Sequence, residues 1–486
     1  MAIPDLNEWI DLLEKEGELA RITTKVDWNL ELGGITQETF DREGPALLFE
    51  NIKDYENTIC KRFFTGTLAT YPRIALMLGL PKETPYKDLI DIWRQKSKSQ
   101  IKPKIVETGP VKENIIKGDD IDLHQFPAPF WHKLDGHRYI GTFDGVVTKH
   151  RDTDWINVGL YRRAVHNKKQ LGITFTIGQH IWMHWRSYRK RGENVPVAVA
   201  CGWNPILPAV ASAHLGIDVC EYDVMGGILG EPVELVKCET SELLVPATAQ
   251  IVFEGELDTN FDSFIMEGPF GEYTGYYCTV PHTRPVFNVK CITFRNDPIL
   301  QGTLEGVPIN EDHRVCSVHH SASIRDLLDE RMSGVTAVNV DPSTGWTNVF
   351  VQIDNSYVGQ VQQVAANIWS SGVSVMVGKN VFVFDRDIDI FDLKKVMWAI
   401  GYRLTPDRDI TMFPGWISPL DPSVHPKDRV HEAVKKGNRL LFDCTKPIDW
   451  PRTDDWFGER FPPLAYPDEE TMNQVRANWG KYGINA

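Results

Sequence analysis

Val286-Phe-Asn-Val-Lys-Cys-Ile-Thr-Phe294 is a run of β-branched and aromatic residues long enough for a full strand, and it is not alone. Phe143-Asp-Gly-Val-Val-Thr148, Gly172-Ile-Thr-Phe-Thr-Ile177, Val195-Pro-Val-Ala-Val-Ala200 and Gln250-Ile-Val-Phe253 share its texture. Between Tyr139 and Leu300 only one clear helical pattern, His180 to Arg191 ahead of Gly192, interrupts them. Strands crowded together with so few helices predict a β-barrel or sandwich in the middle of the chain. A doubly wound parallel sheet would need a crossover helix between successive strands.

The flanks have a different rhythm. Asp5 to Gly17 predicts a capped amphipathic helix: Asp5 caps it, Leu6, Trp9, Ile10 and Leu13 form one stripe, and Gly17 stops it. A strand pattern, Leu19 to Val26, follows, then apolar runs at Ala46 to Phe49 and Ala75 to Leu80. These predict a small α/β unit ending near the basic, proline-containing stretch Lys96 to Lys104. In the last third, helical patterns at Ile324 to Arg331, Gln360 to Ile368 and Asp392 to Ile400 alternate with strand runs at Val349 to Ile353 and Asn380 to Phe384. That is the rhythm of a separate α/β domain.

Composition removes several functions. With 52 basic against 66 acidic residues the net charge is −14, which repels phosphate backbones and argues against nucleic acid as a main partner. The N-terminus lacks a basic head followed by an apolar run, and no stretch approaches the length of a membrane span, so a cytoplasmic protein without a membrane partner is expected. Eight cysteines without a C-x-x-C pair speak against a disulfide framework, a zinc site or an iron–sulfur cluster, and read as ordinary buried thiols. G-x-G-x-x-G after a strand, the P-loop, H-E-x-x-H and G-x-S-x-G are all missing.

The chemistry concentrates in three places. Asp154-Trp-Ile-Asn-Val-Gly-Leu-Tyr-Arg162 offers an amide and a guanidinium, whose planar fork suits a carboxylate; adjacent Arg163 points the other way if the run is extended. Glu267-Gly-Pro-Phe-Gly-Glu272 cannot be a regular helix, so its acids can converge. Two acids facing a bound carboxylate resist joint ionisation, and one of them can then donate a proton near neutrality. Asn157, His180 and Glu221 form an O, N, O set suited to Mg²⁺ or Mn²⁺ beside a phosphate. The bland alternatives stay open for each: a solvated acidic loop, a structural arginine, a packed histidine. His132, His137, His319 and His320 read as loop residues.

In this order the pieces resemble the UbiD family of decarboxylases, which use prenylated FMN. The resemblance runs through most of the chain. It is strongest at Asn157 to Arg162, Gln179-His180, Gly226-Gly-Ile-Leu-Gly-Glu231, Lys237-Cys-Glu-Thr240, Glu267 to Gly275 and Asp387-Ile-Asp-Ile-Phe391. It implies a small N-terminal α/β part (1–105), a split β-barrel of flavin reductase type that holds the cofactor (106–305), and a C-terminal α/β dimerisation domain (306–486). Asn157, His180 and Glu221 would hold Mn²⁺ or Mg²⁺, with K⁺ as a further ion. Asn157, Val158, Gly159, Leu160, Tyr161, Arg162, Gln179, His180 and Glu221 would contact the cofactor.

In the family's Arg-Glu-Glu set, Arg162 and Glu267 would pair beside the reacting carboxyl group and Glu272 would deliver the proton that replaces CO₂. The substrate would attach covalently to the cofactor, which takes up the electrons of decarboxylation. Val26-Asp-Trp28, Glu50-Asn-Ile-Lys-Asp-Tyr55, Glu267 to Tyr276 and Pro447-Ile-Asp-Trp450 look closest to members acting on aromatic rings, including phenylphosphate carboxylase-like subunits, so the expected substrate is a small aromatic or α,β-unsaturated carboxylic acid, handled reversibly. A flavin prenyltransferase would supply the cofactor, the assembly would be a homodimer or hexamer, and further carboxylase subunits would fit the same pattern. The competing readings are a noncatalytic subunit of a multi-subunit carboxylase and an FMN-dependent redox flavoprotein. Where some members carry a lysine near the flavin, this chain has Gly372-Val-Ser-Val375, and Lys379 is given no role.

Overall fold

Leu160, Tyr161 and Arg162 connect two strands that stand near opposite ends of a nine-stranded sheet. The computed structural model describes residues 3–484 except 416, 431–432 and 435–436. Its main path of strands runs Tyr139–Gly141, Arg163–Val165, Gln170–Ile173, Val286–Phe294, Ile251–Leu257, Val195–Cys201, Gly145–Lys149, Ile156–Gly159, with Asn114–Lys117 also paired to Val286–Phe294. Laid flat, the six steps from Ile156–Gly159 back to Arg163–Val165 would span about 29 Å. Three linking residues reach about 14 Å at most, so the sheet must curl until its ends approach. The result is a half-barrel, and the stretch carrying Asn157 and Arg162 lies across its opening.

The sheet forms because its long strands bury apolar residues on both faces. Val199 stands opposite Phe253, which in turn stands opposite Ile292, and all three are almost fully buried. The Val286–Phe294 strand has the expected bounds, whereas two expected strands are shorter. Gln170–Ile173 ends before Thr174, which turns its side chain to Glu267, and Leu19–Ile22 ends four residues before Val26.

Two helices correct the expectation of a single one in this region. Ile206–Ala211 and Glu221–Leu229 are buried almost all round, so neither has the polar face that makes a helix visible as periodicity. The expected one spans His180–Arg189.

Leu6–Glu16 has the caps expected of it, Asp5 accepting from the Asn7 and Glu8 amides and Gly17 in the left-handed region. It leads into a four-stranded sheet of Leu19–Ile22, Ala46–Phe49, Arg62–Thr65 and Ile299–Gln301, so the chain returns to this sheet after leaving the half-barrel. A five-stranded sheet follows, ordered Val335–Val340, Asn348–Ile353, Asn380–Asp385, Gly437–Cys444, Ile410–Gly415. Packed beside it is the helix Glu311–Arg331, which starts thirteen residues before the expected Ile324. His319 and His320 are therefore helical and buried, not loop residues. The first thirteen residues of the helix carry no leucine stripe, because polar Glu311, His313, Ser317, His319 and His320 share the buried positions with Val315, Cys316 and Val318. Among the described residues no helix is long and apolar enough to cross a membrane.

Candidate active site

Between Glu267 and Glu272 the chain makes a turn fixed from both sides. Gly268 has φ +87°, a conformation that disfavours any side chain. Pro269 O accepts from the Gly136 amide at 2.8 Å, and the Gly271 amide donates to Asp135 at 3.0 Å. A Cβ on Gly136 would lie 1.9 Å from Gly268 O, so that approach requires glycine.

The turn brings both acids onto Arg162. Its Nε and Nη2 reach the two oxygens of Glu267 at 3.0 and 3.1 Å, and its Nη1 bonds Glu272. Tyr139 Oη and Thr174 Oγ1 donate to Glu267 at 2.9 and 2.8 Å. Phe270 covers the guanidinium at 4.8 Å. Arg163 turns away into the half-barrel, where it bonds Asp144 and the Tyr161 carbonyl.

The two acids are then driven apart. Burial pushes the Glu267 carboxyl up, but Arg162 together with the Thr174 and Tyr139 donors outweighs it and holds the group at about 2. For Glu272 burial wins over Arg162, and its carboxyl is raised. One group is a fixed anion and the other an acid able to keep a proton. The arrangement can clamp a carboxylate and protonate a carbon.

Asn157, His180 and Glu221 also meet. Asn157 stands on the edge strand opposite Thr148, and His180 and Glu221 each open a helix. Glu221 Oε2 accepts from the Val158 amide at 2.8 Å, and its Oε1 lies 3.9 Å from His180 Nδ1. Tyr161 Oη accepts from the Ile181 amide at 3.4 Å and so ties the linking stretch to the His180 helix.

These groups could hold a cation. Burial pushes Glu221 up to about 8, and among the described residues no lysine or arginine pairs with it. The Asn157 amide is buried, with its nitrogen out of reach of any hydrogen-bond partner among the described residues. Gln179 is extended, and its Oε1 accepts from the Thr176 amide at 2.7 Å, which shapes the entry to the His180 helix.

Comparison with known proteins decides the family. Models of the 3-octaprenyl-4-hydroxybenzoate carboxy-lyase N-terminal, Rift-related and C-terminal domains match residues 10–93, 104–308 and 313–444. Pyrrole-2-carboxylic acid decarboxylase of Pseudomonas aeruginosa is 31% identical over 99% of this chain and 98% of its own. The chain belongs to the UbiD family.

Its homologues are named decarboxylases, so this UbiD-family chain is an enzyme of the carboxy-lyase type. Vanillic acid decarboxylase of Sedimentibacter hydroxybenzoicus, in its closed form, superposes with a TM-score of 0.87 at 28% identity, covering all of both chains. The UbiD-class enzyme HmfF of Pelotomaculum thermopropionicum, in complex with prFMN, superposes at 0.78 with 26% identity, covering 92% of this chain and 96% of its own.

Some residues of the UbiD-family site carry no sequence signal. Tyr139 and Thr174 reach Glu267 because the strand of the one and the strand leading to the other flank Arg163–Val165 on either side, and no spacing announces that. Glu305 adds another acid near Glu272, with Asp312 beside Glu305; burial raises the first well above the usual range and the second to about 6. Cys316, His319 and His320 share a helix face with their ligand atoms within 4.8 Å of one another, a grouping that the Cys-x-x-His-His spacing does signal. Cys316 Sγ donates to Asp312 at 3.1 Å and His319 Nε2 meets Ser212 Oγ at 3.1 Å, so two of these three buried groups engage the protein itself. Lys379 pairs with Asp421 at 2.8 Å.

Proposed function

We propose that this enzyme is a reversible, prenylated-FMN-dependent decarboxylase of an aromatic or α,β-unsaturated carboxylic acid. Arg162 and Glu267 would flank the reacting carboxyl group, and Glu272 would be the proton donor. The observation that carries the reading is the single guanidinium shared by two acids of opposite tendency, one held ionised and one raised.

The prenylated flavin, when bound, would supply the electron sink that side chains lack. Asn157, His180 and Glu221 would hold its phosphate through Mn²⁺ or Mg²⁺, and Val158 to Arg162 with Gln179 would line it. K⁺ belongs to the same proposal. That HmfF binds prFMN and superposes over most of the chain supports the choice of cofactor.

The chain's own groups would then act in sequence. Arg162, fixed by Glu267, orients the substrate carboxylate and remains charged throughout. Phe270 and the buried turn keep water from the reacting carbon. Once CO₂ leaves, Glu272 hands its proton to that carbon and is reprotonated from solvent; the reverse order gives carboxylation. Glu305 and Asp312, raised by burial, favour a neutral ring with a hydrogen-bonding substituent over a second carboxylate. Pyrrole-2-carboxylic and vanillic acids, the acids named for two relatives, have this character.

The domain assignment is part of the proposal: residues 1–105, 106–305 for the cofactor and 306–486 for oligomerisation as a dimer or hexamer. A flavin prenyltransferase would act as supplier, and further subunits are admitted. The test is anaerobic production with a prenyl-flavin supply, followed by a screen of aromatic acids for CO₂ release and for bicarbonate exchange. A preparation whose extracted cofactor has the mass of prenylated FMN yet releases and exchanges nothing across the screen would defeat the reading. A cofactor with the mass of plain FMN would favour redox chemistry.

A further inference from the structure

Tyr273 directly follows Glu272, but its side chain leaves the half-barrel. Its ring stacks on Trp346 with centroids 4.9 Å apart and planes at 23°, and its hydroxyl lies 3.1 Å from Ser418 Oγ. Both partners belong to the C-terminal sheet unit: Trp346 precedes the strand Asn348–Ile353, and Ser418 follows Ile410–Gly415.

The main chain at this point is held from the same side. Tyr273 O meets His313 Nε2 at 2.7 Å. His313 Nδ1 accepts from the Asn310 amide at 3.1 Å, so its proton resides on Nε2 and is donated to Tyr273 O. Trp346 is itself fixed, donating from Nε1 to His313 O at 3.2 Å and accepting from the Gly378 amide at 3.0 Å.

Glu272 therefore lies between two anchors. Arg162 holds its carboxyl from the half-barrel, and Tyr273, one peptide away, is held by the C-terminal unit. Within the loop the Gly275 amide donates to Glu272 O at 2.9 Å and the Glu272 amide donates to Tyr276 O at 3.2 Å, so the segment moves as one turn. Beside Tyr273 the seam opens into a cavity of about 230 Å³ lined by Thr274 and Pro308 on one side and Thr344, Lys379 and Ser418 on the other. Tyr273 crosses this seam as a strut.

We propose that Tyr273 is a positioning residue: through Ser418 and Trp346 it transmits the docking of the C-terminal unit to Glu272, so that the proton donor is in register only when the two units are seated. The inference rests on Glu272 being the proton donor.

The variants Tyr273→Phe, which keeps the stack on Trp346, and Ser418→Ala remove opposite ends of one hydrogen bond. Each should lower kcat of the cofactor-loaded enzyme about five- to tenfold, the scale of one neutral hydrogen bond, with KM nearly unchanged. The double variant should be no worse than either single one, and Ser418→Thr should restore the rate. Hydrogen–deuterium exchange on the cofactor-free protein reads the coupling directly: amides of Gly271 to Gly275 should exchange faster in both single variants. Unchanged exchange in that segment, or losses that multiply in the double variant, would overturn the strut. A wild-type enzyme that releases no CO₂, or a Glu272→Gln variant as fast as wild type, would instead overturn the assignment of Glu272, and the exchange comparison would still decide whether the two units are coupled.

Discussion

Arg162 closes on both carboxylate oxygens of Glu267, at 3.0 and 3.1 Å, with the acid side chain almost wholly removed from solvent. A fork of this kind gives orientation as well as charge. It leaves one guanidinium nitrogen for Glu272 and makes the two acids unequal, which a pair of surface carboxylates would not be.

Removing the fork should be felt in stability before it is felt in chemistry. Arg162→Ala leaves Glu267 ionised and buried with the Tyr139 and Thr174 donors and with Arg284, whose Nε lies 4.0 Å away, and loss of one partner of a buried pair costs about 3–5 kcal/mol. Denaturant unfolding of the variant should show a loss of that order. Adding Glu267→Gln should recover part of it, because the stranded charge is gone. A single variant as stable as wild type contradicts the ion-pair geometry.

Glu272→Gln keeps the shape of the side chain and its contact with Arg162 while removing the transferable proton. Turnover should fall by about 100-fold or more, the scale of a lost general acid. Secondary structure and thermal midpoint should stay near wild type. Deuterium incorporation from solvent at the vacated carbon should fall in parallel, and a variant that still exchanges at the wild-type rate would transfer the role elsewhere.

The pH profile follows from the direction of the Glu272 shift. Burial raises its pKa above the ordinary 4.5, so the proton-bearing form survives to higher pH than in a free glutamic acid. Activity should decline as pH rises through that value. Glu267, held near 2, stays ionised on the acid side and imposes no limb of its own in the working range. Initial rates across about pH 5 to 8 test this, since kcat/KM reports the groups of the free enzyme. A rate that climbs steadily with pH over that range would remove Glu272 as an acid.

The half-barrel was legible in the sequence because Val286–Phe294 and Val195–Cys201 carry apolar residues that no helix period explains. The buried helices Ile206–Ala211 and Glu221–Leu229 were not, because periodicity requires a solvent face and they have almost none. Glu311–Arg331 was legible only from Ile324 onward, because polar side chains share the buried positions of its first half with Val315 and Val318. For the site, the convergence of Glu267 and Glu272 could be argued from the Gly-Pro-Phe-Gly spacer between them. The meeting of Asn157 with Glu221, 64 residues later, came only from the family resemblance. Tyr139 and Thr174 gave no sign, since only the pairing of Tyr139–Gly141 and Gln170–Ile173 with Arg163–Val165 brings them to Glu267.

Glu221 offers a way to test the ion site without any turnover. Its carboxyl is pushed up to about 8 by burial and is steadied on one oxygen by the Val158 amide. A divalent ion binding there must displace the proton, so affinity should rise with pH. Glu221→Gln keeps the volume and removes the charge. Manganese affinity, measured by calorimetry or by electron paramagnetic resonance of the free ion, should weaken by at least about tenfold. Equal affinity in the variant would move the ion away from Asn157, His180 and Glu221.

Buried neutral histidines should set the acid limit of the fold. Burial lowers His184 to about 3, His313 to about 4 and His319 to about 3, all from an ordinary 6.5. Each is held by neighbours: His184 by Thr148 at 2.9 Å, His313 by Tyr273 O at 2.7 Å and the Asn310 amide at 3.1 Å, and His319 by Ser212 at 3.1 Å. Below 6.5 the unfolded chain takes up protons that the folded chain refuses. Their contribution to stability is therefore complete above about pH 6.5 and is lost as pH falls through that value toward 4. Glu221, Glu272, Glu305 and Asp312, raised by burial, act with the opposite sign over the same window, so the readout is the difference between proteins: His184→Phe, which removes one refusing group, should lose less of its thermal midpoint than wild type as pH falls from 6.5 to 4.5. Midpoints of wild type and His184→Phe that shift in parallel would mean that the His184 ring takes up its proton inside the folded protein as readily as outside it.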